Sequence, residues 1–199
     1  MKRIFILLSL FLFTMSGFAK DACAPDNVSQ DKITKETFET WQEKLASSSM
    51  FKSASNGKAD FLYYIMFYKS SKGSKGIALN LSQTTAYVKE LFGEDAQFKK
   101  GDKILIGWQD KEPLELTIDN VQSQRKVYTA SKSVLNSYSL FSEIKEEDYE
   151  KLKDYFYNDF ITGLRIVSEG SSVVETEVNG KKNTKVSSKA KCFFDSLEK

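Results

Sequence analysis

A chain of 199 residues with 29 basic and 27 acidic side chains is long enough for one domain with a hydrophobic core, and too evenly charged to hold a polyanion by electrostatics alone. It contains no histidine, which removes Ser-His-Asp and Cys-His catalysis, histidine acid-base chemistry and histidine-ligated zinc together. Its two cysteines, Cys23 and Cys192, are too few for a thiolate metal cluster.

The chain opens MKRIFILLSLFLFTMSGFA: two basic residues, an apolar run from Ile4 to Phe13, then small residues at Ser16, Gly17 and Ala19. This pattern predicts a secretory signal peptide over residues 1–19, cleaved after Ala19; the apolar run is shorter than the roughly 20 residues a bilayer span needs. Losing Lys2 and Arg3 takes the 29 basic residues to 27, equal to the acids, so the mature chain is formally neutral and no nucleic-acid partner is expected. No later segment is apolar enough to predict a membrane span.

Residues 20–32 are polar, with Pro25, Asp26 and Asn27, and read as an N-terminal tether to a single globular domain over residues 33–199. Lys20 and Asp21 separate Cys23 from the small-residue stretch, which argues against lipid attachment. An even cysteine count in an exported chain instead predicts a Cys23–Cys192 disulfide. Closing so long a loop stabilises by up to about 5 kcal/mol on chain entropy.

ITKETFETWQEKLAS (33–47) places Ile33, Phe38, Trp41 and Leu45 near one helical face and predicts a helix. FLYYIMFY (61–68) is apolar on both alternating faces and predicts a central strand. KSSKGSKG (69–76) is a basic loop, IALNL a short strand, and TAYVKELF a helix capped by Ser82 or Thr84 and ended by Gly93. KILIGW and PLELTI predict a hairpin, with alternation at Leu114, Leu116 and Ile118; KVYTASKSVL and SYSLFSEI predict one or two further strands. EEDYEKLKDYFY is the strongest helix, with Tyr149, Leu152, Phe156 and Phe160 at helical spacing and acids in its first turn. ITGLRIVSE and VVETEV predict strands, and Asn179-Gly180 a tight hairpin pairing Val178 with Lys181 and Val173 with Val186. A short final helix brings Phe193, Phe194 and Leu197 to the core beside Cys192. The expected class is α+β, mainly antiparallel β: a sandwich or open barrel of about seven or eight strands with two to four packed helices.

Serine and lysine at S-x-x-K spacing recur along the chain, among other places at Ser29, Ser55, Ser123, Ser142 and Ser188, which in a chain this rich in both is the recurrence that chance supplies. Asp102, Asp110, Glu112 and Asp119 surround the predicted hairpin; a carboxylate-dependent secreted hydrolase would need two of them facing across a cleft. KSSKGSKG lacks phosphate-loop spacing, and no calcium loop is present. No catalytic residue, metal ligand or cofactor is therefore assigned.

The positive signal is aromatic. Nine Tyr and fifteen Phe in a neutral chain place Tyr64, Tyr68 and Trp108 as a possible recognition patch. The sequence thus predicts a non-enzymatic binding module for another envelope protein, a peptide or a surface ligand, exported to the periplasm or the outside of a bacterium. The alternatives are the carboxylate hydrolase and a structural envelope component.

Overall fold

Strands that alternate large apolar and polar side chains must cover one face, and here two antiparallel sheets and two helices cover each other's. The structure is a computed structural model describing residues 23–48, 60–86, 98–128, 133–168, 171–178 and 180–198. The predicted signal peptide, most of TAYVKELF with Gly93, and Asn179 lie outside the described residues.

The first sheet takes β1 (Asn27–Gln30), β2 (Thr37–Ser48), β3 (Asp60–Ser70), β4 (Lys75–Ala86), β7 (Asn120–Tyr128) and β8 (Ser133–Glu143), in the order β1-β2-β3-β4-β8-β7. The second takes β5 (Lys103–Trp108), β6 (Leu114–Thr117), β9 (Ile161–Ser168) and β10 (Ser171–Glu177), in the order β10-β9-β5-β6. The helices are α1 (Tyr149–Asn158), entered through a short 3-10 turn at Glu146–Asp148, and α2 (Gly180–Leu197). The mainly antiparallel class expected from the sequence is what forms, with ten strands among the described residues rather than seven or eight.

The inner face of the larger sheet is built from in-register rows. Trp41 stands opposite Phe67 and Phe67 opposite Ile77; Ile65, Leu79 and Leu140 make the next row. The smaller sheet answers with Ile104, Ile106, Leu114, Leu116, Leu164 and Ile166, all buried. Both helices fill the space inside. Phe156 of α1 meets Phe67 of the larger sheet at 5.0 Å, Trp108 of the smaller at 5.0 Å and Phe194 of α2 at 6.4 Å between ring centroids. Phe193 of α2 stacks on Phe67 at 5.5 Å and packs edgewise on Trp41 at 5.8 Å. Each such ring pair adds about 0.5–1.5 kcal/mol beyond the area it buries.

The chain crosses between sheets at Ile118 and Asp119. Ile118 N–H donates to the Asp102 carbonyl at 2.8 Å, Asp119 N–H to the Phe141 carbonyl at 2.8 Å, and the Asp119 carboxylate accepts from Glu143 N–H at 2.8 Å. One residue is thus held by the smaller sheet and the next by the larger.

Cys23 and Cys192 form the disulfide, with Cα atoms 4.9 Å apart across 169 residues. It fastens the first described residue to α2. Trp41 Nε1 donates to the Cys23 carbonyl at 3.0 Å, and Lys189 on α2 pairs with Asp26 at 2.5 Å.

Four expectations are corrected. Ser82 and Thr84, expected to cap a helix, lie within β4, where their backbone pairs with β3 and β8. Residues 37–48 form a strand, not a helix, because pairing to β3 along its length satisfies the backbone that a helix would otherwise satisfy internally. Residues 27–30, expected in a tether, pair with β2 as an edge strand, and an Asx turn in which the Asp31 carboxylate accepts from Ile33 and Thr34 N–H connects the two. Those hydrogen bonds, led by the one from Thr34, hold the Asp31 carboxyl below the usual carboxylate range. The Asn179-Gly180 hairpin does not form: β10 pairs with β9, and Gly180 opens α2. Val186, Ala190, Phe193 and Phe194 are buried at helical spacing there, which fixes Val186 on a helix rather than opposite Val173.

Candidate functional site

Of the three aromatic residues singled out, two stay together and one leaves. Trp108 ends β5 with its indole only 6% exposed, wedged between Tyr155 and Phe156 of α1. It belongs to the core and not to a surface patch, because α1 needs a large flat partner where it meets the smaller sheet. Tyr64 and Tyr68 share the outer face of β3, alternating with the buried Tyr63, Ile65 and Phe67 that point inward.

The cross-strand register extends that face over four strands. Met66 stands beside Ala78, Phe141 and Asn120; Tyr64 beside Asn80, Ser139 and Gln122; Leu62 beside Ser82, Ser137 and Gln124. None of these twelve positions is charged, in a chain 28% charged. Charges stand around the margins: Lys44 opposite Tyr64, Glu143 opposite Gly76, and, in the row beyond Leu62, Asp60 opposite Thr84 and Lys126 opposite Leu135. The polar groups within the block serve each other sparingly. Asn80 Nδ2 lies 3.9 Å from Met66 Sδ and the Ser82 and Ser137 hydroxyls are 3.4 Å apart, while Asn80 Oδ1 has no partner among the described residues.

Tyr68 is closely packed at one end of the block. Its hydroxyl and Cζ stand 2.4 and 2.5 Å from where a Gly76 Cβ would be, so the ring lies across β4 in space that only glycine leaves open. Phe141 meets it edgewise at 5.6 Å. Burial, reinforced by the Glu143 and Asp119 carboxylates, pushes the Tyr68 phenol up to about 12.

Among the described residues, β3 contacts β2, β4 and α2, and α2 meets it from inside through Phe193 and Phe67. None of those elements lies over the outer block. Tyr64, Met66, Tyr68 and Phe141 are each half-buried there.

The aromatic surface of α1 differs. Lys75 and Lys153 stand over Tyr149 at 4.9 and 5.9 Å, Lys111 over Tyr155 at 4.7 Å, and Lys191 over Tyr157 at 5.3 Å. Three of these ammonium groups are themselves paired, Lys75 with Glu146, Lys111 with Asp154 and Lys153 with Glu198. Tyr157 donates to the Asp195 carboxylate at 2.6 Å, and burial together with that hydrogen bond raises its pKa. Lysine stems laid over rings in this way roof them against solvent.

The acids considered for hydrolysis do not assemble into a facing pair. Asp102 is buried and accepts from Lys99 N–H at 2.9 Å, while Asp119 ties the corner to β8, so both brace the passage between sheets. Asp110 and Glu112 lie exposed in the β5–β6 connection, where Asp110 N–H donates to the buried Asp159 carboxylate at 3.2 Å. No group of three potential metal-ligating side chains stands together among the described residues, and no helix among them is long and apolar enough to cross a membrane.

The fold and this face define a mainly antiparallel β protein wrapped around two helices, presenting an uncharged aromatic sheet face. Compared with protein families, curated proteins and solved structures, the chain finds no match. Phe141 and Met66 join the face beyond the residues expected from the sequence; Met66 alternates with Tyr64 and Tyr68 in FLYYIMFY, but Phe141 joins them only through the register of β8.

Proposed function

We propose that this protein is an exported, non-enzymatic binding module that docks another envelope protein through the outer face of its six-stranded sheet. The observation that carries this reading is the uncharged block centred on Tyr64, Met66 and Phe141. Depletion of charge with enrichment of aromatic residues and methionine distinguishes the core of a protein interface from ordinary surface. The disulfide between Cys23 and Cys192 and the apolar leader of the sequence support an oxidising, exported setting. Two of the four acids that a hydrolase would use, Asp102 and Asp119, are engaged in backbone hydrogen bonds at the passage between the sheets, which favours binding over catalysis.

A Tyr64→Arg variant tests the reading. The wild-type protein, incubated with the envelope fraction of its own cell, retains one reproducible protein partner; Tyr64→Arg, which places a charge in the middle of the block, loses it while unfolding at an unchanged urea midpoint. Undiminished retention by a folded Tyr64→Arg protein contradicts the proposal.

A further inference from the structure

The outer face of the smaller sheet carries a second, separate feature, a groove of about 330 Å³ lined by residues of β5, β9 and β10 with Pro113. It arises from a cross-strand pair with no side chains: Gly107 on β5 stands opposite Gly163 on β9. Both positions are crowded. A Cβ at Gly107 would lie 3.1 Å from the Thr162 hydroxyl, and one at Gly163 3.2 Å from the Thr176 carbonyl. The two missing side chains leave a shallow gap in the sheet face, with the Thr162 hydroxyl at its Gly107 side and the Thr176 carbonyl at its Gly163 side.

The walls differ in chemistry. Leu105 and Pro113 form an apolar side, while Glu177, directly opposite Gly163, stands at the other end of the bare row. In the neighbouring row Arg165 is already neutralised by Glu175 at 2.7 Å. Glu177 is exposed at the groove, and its carboxylate stands outside the Arg165–Glu175 pair. The slot therefore combines a floor of backbone and the Thr162 hydroxyl, an apolar side and one exposed negative charge. We propose that it binds a primary alkylammonium group, the chemistry shared by a lysine side chain and a polyamine. Its methylene stem lies over the two glycines against Leu105 and Pro113, and its ammonium reaches Glu177. Pockets in this size range bind through an apolar lining with a few placed polar groups, and a charge-assisted hydrogen bond is the strongest of those.

Titration of isotope-labelled protein with butylammonium, followed by amide NMR shifts, tests this. The expected result is saturable shifts centred on Gly107, Gly163 and Glu177, with binding weakened at least ten-fold by Glu177→Gln and absent for the uncharged 1-butanol. Acetyl-lysine amide and 1,4-diaminobutane, titrated in parallel, show by their relative affinity which source fits better. Gly163→Val fills the slot and abolishes binding; Glu177→Gln, a surface change that leaves the fold alone, gives the same answer should the valine variant not fold. The proposal is overturned if none of the amines shifts these amides, if 1-butanol binds as well, or if Glu177→Gln binds butylammonium unchanged.

Discussion

Two surfaces of this molecule carry tyrosines, and they are finished differently. On α1, Tyr149, Tyr155 and Tyr157 lie beneath lysines that are in turn paired with acids of the same chain. On the outer face of β3, Tyr64 and Tyr68 have mainly uncharged neighbours on β4, with Lys44 and Glu143 at the margin, and no lysine ammonium stands over either ring among the described residues. The first surface has consumed its aromatic potential internally, through contacts worth about 0.5–1 kcal/mol each where exposed. The second has left it available. An aromatic count therefore identifies a binding surface only after the rings that the chain roofs for itself have been set aside.

The largest expected effect strikes what lies beneath both surfaces. Phe156→Ala empties the ring position shared by α1, α2 and both sheets, and should cost about 3–5 kcal/mol, read as a lowered urea midpoint. Next, Gly76→Val puts a side chain against both the Ser142 carbonyl and the Tyr68 ring and should cost at least about 1–3 kcal/mol by overpacking, while bringing the Tyr68 phenol back toward its ordinary titration range. On the helix side, Tyr157→Phe removes the hydrogen bond to Asp195 and should cost about 1 kcal/mol of stability without loss of partner binding, the reverse of the outcome expected for Tyr64→Arg.

A smaller effect follows from pH. Burial favours the neutral Tyr68 phenol, so its folded pKa, about 12, lies above the ordinary 10. The associated stability is complete below about pH 10 and is lost as pH rises toward 12, which ultraviolet titration of Tyr68→Phe against wild type would resolve. Smaller still is the acid side. Asp31 is held below 3.8 by the turn it closes, so that contribution is present above 3.8 and fades as pH falls below it, visible as loss of the Asx-turn amide shifts at Ile33 and Thr34.

Much of this architecture was written in local pattern. FLYYIMFY declares β3 because both alternating faces are apolar, and the α1 stretch declares itself by Leu152 and Phe156 spaced one turn apart. Phe160 does not extend that helix; it falls past Asn158 and is 47% exposed. Trp41 and Leu45 misled because a spacing of four is one helical turn and also two strand repeats, and Glu and Lys between them favour the helix until β3 supplies its partner. Asn179-Gly180 misled for the converse reason: a turn signal states that the chain bends, not that a strand follows. For the candidate face, Tyr64 and Tyr68 were legible from alternation alone. The loss of Trp108 and the arrival of Phe141 were not, since both depend on which strands lie next to which.

The central claim is that the β3 face, and not the α1 face, meets the partner, and hydroxyl-radical footprinting of the captured complex tests it directly. The account predicts that oxidation of Tyr64 and Met66 falls on complex formation while that of Tyr155 is unchanged. Protection of Tyr155 with Tyr64 and Met66 oxidised as in the free protein would contradict it.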